Sequence, residues 1–115
     1  FSPFAVSPMS GFPLATLEAI IAARAASDDE KSYTRKLLGK GISVCAKKLG
    51  EEAVETALAA VAGTKTELTA EAADLLYHLL VVLKAGDVRV DEVMTVLEGR
   101  TGQTGLEEKA SRPKD

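Results

Sequence analysis

At 115 residues and 12.1 kDa the chain makes one domain, with room for a modest hydrophobic core. Its net charge of −3 and pI near 5.2 exclude a nucleic-acid binder that works by blanket attraction to phosphates. Hydrophobic residues make up 46% of the chain but aromatics only 4%, with no Trp, so Ala, Leu and Val must do the packing, and a second copy is expected to complete the core as a homodimer.

Residues 1–13 carry Phe and Pro punctuation without the basic start and continuous apolar run of a signal peptide, and are expected to form a loose extension, with Met9 a candidate natural start. No window of about 18 apolar residues occurs, so no membrane span is expected. A single cysteine, Cys45, permits no intramolecular disulfide, and a reducing, cytoplasmic setting is the default.

Leu14, Leu17, Ile20, Ile21 and Ala25 recur at helical spacing and predict a helix over Leu14–Ala26, with Pro13 at its first turn. The polar run Ser27-Asp28-Asp29-Glu30 ends it. A short helix over Thr34–Leu38 follows, with Ser32 as its cap and Gly39 and Gly41 closing it. The third helix covers Ile42–Ala62, its apolar stripe formed by Ile42, Cys45, Leu49, Ala53, Ala57 and Val61 and widened by Val54 and Leu58. Gly50 inside it would admit a neighbouring backbone or a ligand, and Gly63 suits the helix end.

A fourth helix begins at Thr66 or Thr69 and ends near Ala85 before Gly86; its core face is Leu68, Ala72, Leu75, Leu76, Leu79, Val82 and Leu83. Asp91 is expected to cap a fifth helix that lasts to Glu98. From Gly99 regular structure is expected to fade, giving a domain over 14–98 and a tail over 99–115. With no strand-type alternation, glycine-rich phosphate loop or repeat, the fold class is all-α, a two-helix hairpin that needs a second hairpin to make a four-helix core.

Within that hairpin Glu52 and Glu55 lie three residues apart, as do Glu71 and Asp74, so each pair shares a helix face. Glu55 stands about nine residues before the turn and Asp74 about nine after it, which puts the pairs at similar heights on neighbouring helices. Singly, each carboxylate reads as part of a solvated face. Together they border the apolar stripes, where an ionised group needs a cation or a donor. An all-oxygen set with no His or Cys at zinc spacing favours Mg²⁺, which keeps waters and binds substrate phosphates. A water on such a metal can serve as nucleophile. Glu51 points about 100° away from Glu52 and has an accessory place. His78, one turn past Asp74, can hydrogen-bond Asp74 or a phosphate, and a structural hydrogen bond is the commoner role of a lone helical histidine. Tyr77 and Cys45 read as core.

Gly50-Glu51-Glu52-Ala53-Val54-Glu55 followed by Glu71-Ala72-Ala73-Asp74 resembles the signature of the MazG-like all-α nucleotide pyrophosphohydrolases. Ser32-Tyr33-Thr34, the 47–55 segment, the 72–81 segment and the 105–112 segment, in that order, resemble the phosphoribosyl-ATP pyrophosphohydrolases of histidine biosynthesis over about Leu14–Arg112. The resemblance implies Mg²⁺-dependent hydrolysis of phosphoribosyl-ATP to phosphoribosyl-AMP and pyrophosphate. It puts Glu52, Glu55, Glu71 and Asp74 in the metal-ligand positions, Glu51 in the accessory one and Lys48 beside the substrate. It further implies that Lys109, Ser111 and Arg112 grip substrate phosphates, and that Ser32, Tyr33 and Thr34 touch ribose or phosphate; helix capping is the other reading of these last three. A stand-alone enzyme is expected, with no cyclohydrolase region ahead of Leu14. Two rivals stay open: a house-cleaning hydrolase of nucleoside triphosphates, and a helical interaction module without activity.

Overall fold

The computed structural model describes residues 11–29 and 31–102, and every regular element among them is an α-helix. In chain order these are α1 (Leu14–Ala25), α2 (Tyr33–Gly39), α3 (Ile42–Ala62), α4 (Lys65–Ala85) and α5 (Val90–Thr101). The expected all-α class and the hairpin of two long helices are both present; α3 and α4 are 21 residues each.

Each boundary has a local cause. Pro13 precedes α1, and its carbonyl accepts from the Thr16 and Leu17 amides. The Ser32 hydroxyl accepts from the Arg35 amide at 3.2 Å and caps α2. Gly41, at φ +95°, turns the chain from α2 into α3, a conformation that side-chain-bearing residues rarely adopt. The hairpin turn is tighter than expected. Thr64, rather than Thr66 or Thr69, starts α4: its hydroxyl accepts from the Glu67 amide at 3.1 Å while the Glu67 carboxylate accepts from the Thr64 amide at 2.9 Å.

At the far end of α4 the left-handed residue is Asp87 (φ 58°) and not Gly86. The Val88 amide reaches the Leu83 carbonyl and the Asp87 amide the Lys84 carbonyl, the paired bonds of a Schellman ending. Asp91 is not the cap of α5 either. It lies in the first turn, held to the Arg89 guanidinium, while the Val90 amide donates to the Glu18 carboxylate of α1 at 2.7 Å. The helix continues through Gly99 to Thr101, beyond the expected end at Glu98.

The core lies at one end of the hairpin. Ile21 of α1, Leu37 of α2, Cys45 of α3, Leu80 and Val81 of α4, and Val90 of α5 are buried together. The Cys45 thiol donates to the Leu37 carbonyl inside this cluster. Among the described residues the turn end is uncovered, with Val54, Leu58 and Val61 60%, 63% and 88% exposed; Leu76 and Leu79 are exposed on a face of α4 nearer the core. The stripe expected to pack α3 is therefore covered only near Cys45, because α1, α2 and α5 all gather at the α4 C-terminal end. A Cβ at Gly50 would meet nothing within 4 Å, so no described residue uses that opening.

The Thr64 capping box fixes where α4 begins. Thr64→Ala should lower unfolding free energy by about 1 kcal/mol, measured by urea denaturation. A loss near zero would show that the turn does not depend on this cap.

Candidate active site

Gly63 lies eight residues after Glu55 and eight before Glu71, and eleven residues from both Glu52 and Asp74. A hairpin folded about Gly63 thus sets Glu55 against Glu71 and Glu52 against Asp74. One carboxylate oxygen each from Glu52, Glu55 and Glu71 lies within 4.8 Å of the others. Asp74 falls outside that trio yet stands close enough to push up the pKa of both Glu52 and Glu71.

The cluster is held against its own charge. Burial raises the Glu52 pKa above its ordinary value, and the Glu55 carboxyl and the Asp74 charge raise it further, with His78 opposing. Burial likewise lifts Glu71, followed by the charges of Glu55 and Asp74. Glu52 Oε2 is buried and has no hydrogen-bond partner, an oxygen stripped of water without replacement. Among the described residues no lysine or arginine pairs with any of these four groups. Lys48 instead reaches Glu51 at 3.5 Å, an exposed pair on the adjoining face worth little to stability.

Sequence reasoning passed over Thr56. Its hydroxyl lies 2.7 Å from the Glu52 carbonyl and 3.0 Å from the Glu71 carbonyl, tying α3 to α4 at the level of the carboxylates. The first contact is ordinary for a helical threonine; the second depends on the register of the hairpin and has no sequence signature. From this level a groove of about 540 Å³ runs toward the turn, lined by Glu55, Leu58, Ala59, Ala62, Glu67, Ala70 and Glu71 among others.

A second polar group lies one turn further along α4. His78 is only 6% exposed, and both its ring nitrogens are taken: Nδ1 faces the Asp74 carbonyl at 2.8 Å and Nε2 the Tyr33 hydroxyl at 3.2 Å. Since a carbonyl can only accept, Nδ1 carries the proton and the Tyr33 O–H donates to Nε2. Thr34, 1% exposed, bonds the Tyr77 hydroxyl. Burial holds the Tyr77 phenol above its ordinary pKa, tempered by the Thr34 bond and the Arg24 charge. Tyr33 and Tyr77 stack at 6.2 Å with the His78 ring edge-on to both.

The structure thus divides the expected substrate contacts. Both ring nitrogens of His78 are engaged, and the ring supports Tyr33 from behind. Ser32, Tyr33 and the largely buried Thr34 all line a cavity of about 450 Å³. Lys109, Ser111 and Arg112 lie outside the described residues.

The family model of phosphoribosyl-ATP pyrophosphohydrolase matches residues 14–101 of this chain. A protein of Methylobacterium radiotolerans named phosphoribosyl-ATP pyrophosphatase is 58% identical over 104 residues, 90% of this chain and 97% of that protein. The proteins of the same name from Agrobacterium fabrum and Azorhizobium caulinodans are 57% identical over 105 residues and 64% identical over 99. These alignments cover 91% and 86% of this chain, and 98% and 91% of the two relatives.

The raised pKa values fix a sign. Glu52 and Glu71 bind protons more readily folded than unfolded, where 4.5 is their ordinary value. Their contribution to stability is present below that value and is lost as pH rises through their folded pKa. Glu55→Gln removes one of the charges responsible. In metal-free protein its Tm should match the wild type near about pH 5 and exceed it near about pH 8. A variant less stable than wild type at the higher pH would mean that the Glu55 carboxylate makes a structural bond.

Proposed function

The chain belongs to the phosphoribosyl-ATP pyrophosphohydrolase family, and from that membership we propose that it hydrolyses 1-(5-phosphoribosyl)-ATP to 1-(5-phosphoribosyl)-AMP and pyrophosphate, the second step of histidine biosynthesis. One observation of the structure carries the chemistry: three carboxylates within 4.8 Å, one with a buried oxygen that has no partner. Such a set calls for a hard cation. The donor set fits that demand, since each of the three residues offers a carboxylate oxygen, the hard ligand that Mg²⁺ takes. Glu52, Glu55 and Glu71 would hold Mg²⁺, with Asp74 completing the acidic set from the next turn. Bound there, Mg²⁺ would offset the carboxylates' charge and that of the departing pyrophosphate, and lower the pKa of a coordinated water.

The remaining residues supply position. Thr56 holds the two helices at the spacing the carboxylates need, and the groove below Glu55 and Glu71 leaves open space beside them. Lys48 and Glu51 flank the site on its outer face. Hydrolysis adds the water oxygen to one phosphorus of the triphosphate and breaks the P–O bond to the leaving group, whose charge calls for cations nearby.

A homodimer belongs to the same proposal. Val54, Leu58 and Val61 form a bare apolar stripe on α3, and a leucine is worth about 1.5–3 kcal/mol when buried. The free thiol of Cys45 fits a reducing cytoplasm. Among the described residues no helix is long and apolar enough to cross a membrane.

Purified protein should release pyrophosphate from phosphoribosyl-ATP with Mg²⁺ and not with EDTA. Glu55→Gln and Asp74→Asn should each cut kcat/KM about a hundredfold or more. Faster turnover of dUTP or dCTP would instead assign it to the clearance of nucleotides, and no turnover with any of them would leave an interaction module. Separately, sedimentation should give twice the 12.1 kDa protomer mass, and Leu58→Glu should return it to one protomer. A wild type that sediments as a monomer would remove the dimer from the proposal.

A further inference from the structure

The cavity in front of Tyr33 is built from three elements that converge: Arg24 in the last turn of α1, Lys31 and Ser32 ahead of α2, and Tyr77 of α4. Its chemistry is unlike that of the carboxylate site. Arg24 and Lys31 are exposed, and neither is ion-paired with another described residue. The lining holds one acidic side chain, Asp29, whose Oδ1 accepts from the Lys31 amide at 2.9 Å and which keeps its negative charge. Two cations against one carboxylate leave the lining with a small excess of positive charge in a chain of net charge −3.

Its hydrogen-bonding capacity is divided in a way that describes a ligand. Arg24 and Lys31 have only donors. Ser32 accepts from the Arg35 amide, so its O–H is free to donate outward. Tyr33 spends its proton on His78 and keeps oxygen lone pairs that can accept from a hydroxyl. The pocket therefore suits a group that is all acceptor at one end and offers hydroxyl donors at the other. A ribose phosphate has that form, with a dianionic monoester to meet the two cations.

The placement fits the same substrate that the carboxylates address. Tyr77 follows Asp74 by three residues and Glu71 by six, roughly 4.5 Å and 9 Å along α4. Phosphoribosyl-ATP carries a triphosphate on one ribose and a second, phosphorylated ribose on its base, so its two anionic ends are apart. We propose that the Arg24–Lys31–Ser32–Tyr33 pocket is the subsite for the phosphorylated ribose, and that it distinguishes phosphoribosyl-ATP from ATP. The assignment rests on the activity proposed above.

Two measurements test it. The first is KM for phosphoribosyl-ATP beside Ki for ATP as a competitive inhibitor, in wild type, Arg24→Gln, Lys31→Gln and Arg24→Lys. Both positions are exposed, so the variants should fold. Each Gln variant should raise KM by about tenfold or more, the worth of one charge-assisted hydrogen bond, while Ki for ATP moves less than twofold; Arg24→Lys should recover part of the loss. The second is titration of ribose 5-phosphate into metal-free protein, which should bind wild type and lose its affinity in Arg24→Gln. An unchanged KM, or KM and Ki rising together, would overturn the subsite. A wild type that binds ribose 5-phosphate but does not turn over phosphoribosyl-ATP would instead count against the proposed activity alone.

Discussion

Like charge is the constraint around which this hairpin is built. Glu52, Glu55 and Glu71 present oxygens within 4.8 Å of one another, and burial adds to the cost that their proximity imposes. No arginine or lysine among the described residues relieves them. A chain tolerates such a cluster only where the backbone is held by other means. Here the means are the Thr64–Glu67 capping box at the turn, the Thr56 hydroxyl between the helices, and the packed core at the opposite end.

That division explains the uneven packing. The core gathers Ile21, Leu37, Cys45, Leu80, Val81 and Val90 where the three short helices meet the hairpin, and leaves the half that bears the turn uncovered. The carboxylates fall between these halves, rigid on one side and open on the other. At the proposed metal site, the carboxylates would thus stand on backbone held from one side, with the groove open on the other among the described residues. The exposed stripe through Leu58 is the surface on which the proposed second copy would pack.

The aromatic group around His78 acts as a wall between two chemistries. On one side are oxygens that demand a cation; on the other are cations and hydroxyls that suit an anion. His78 joins them, with Nδ1 on the Asp74 carbonyl and Nε2 accepting from Tyr33. Buried and bonded at both nitrogens, it is the support for Tyr33. A substrate with separated anionic groups would be met by opposite means at its two ends.

Much of this was legible in the sequence. Periodicity alone marked the long third helix as Ile42–Ala62, and the three-residue spacing within each acidic pair predicted a shared face, because helix geometry is local. The family was legible too, in four short segments whose order carries more information than their composition. Boundaries set by side-chain bonds were less so: Thr64 rather than Thr66 starts α4, and Asp87 rather than Gly86 adopts the left-handed turn, since neighbouring residues of similar propensity compete for these places. What only the tertiary structure decided is which apolar residues find cover and which polar atoms are already spent. Cys45 is buried and Val61 is bare although both lie on one stripe, because α1, α2 and α5 reach only one end of the hairpin. The hydrogen-bond partners of His78 and Thr34 come from 45 and 43 residues away. Local spacing determines the face a residue occupies; the fold determines what that face meets.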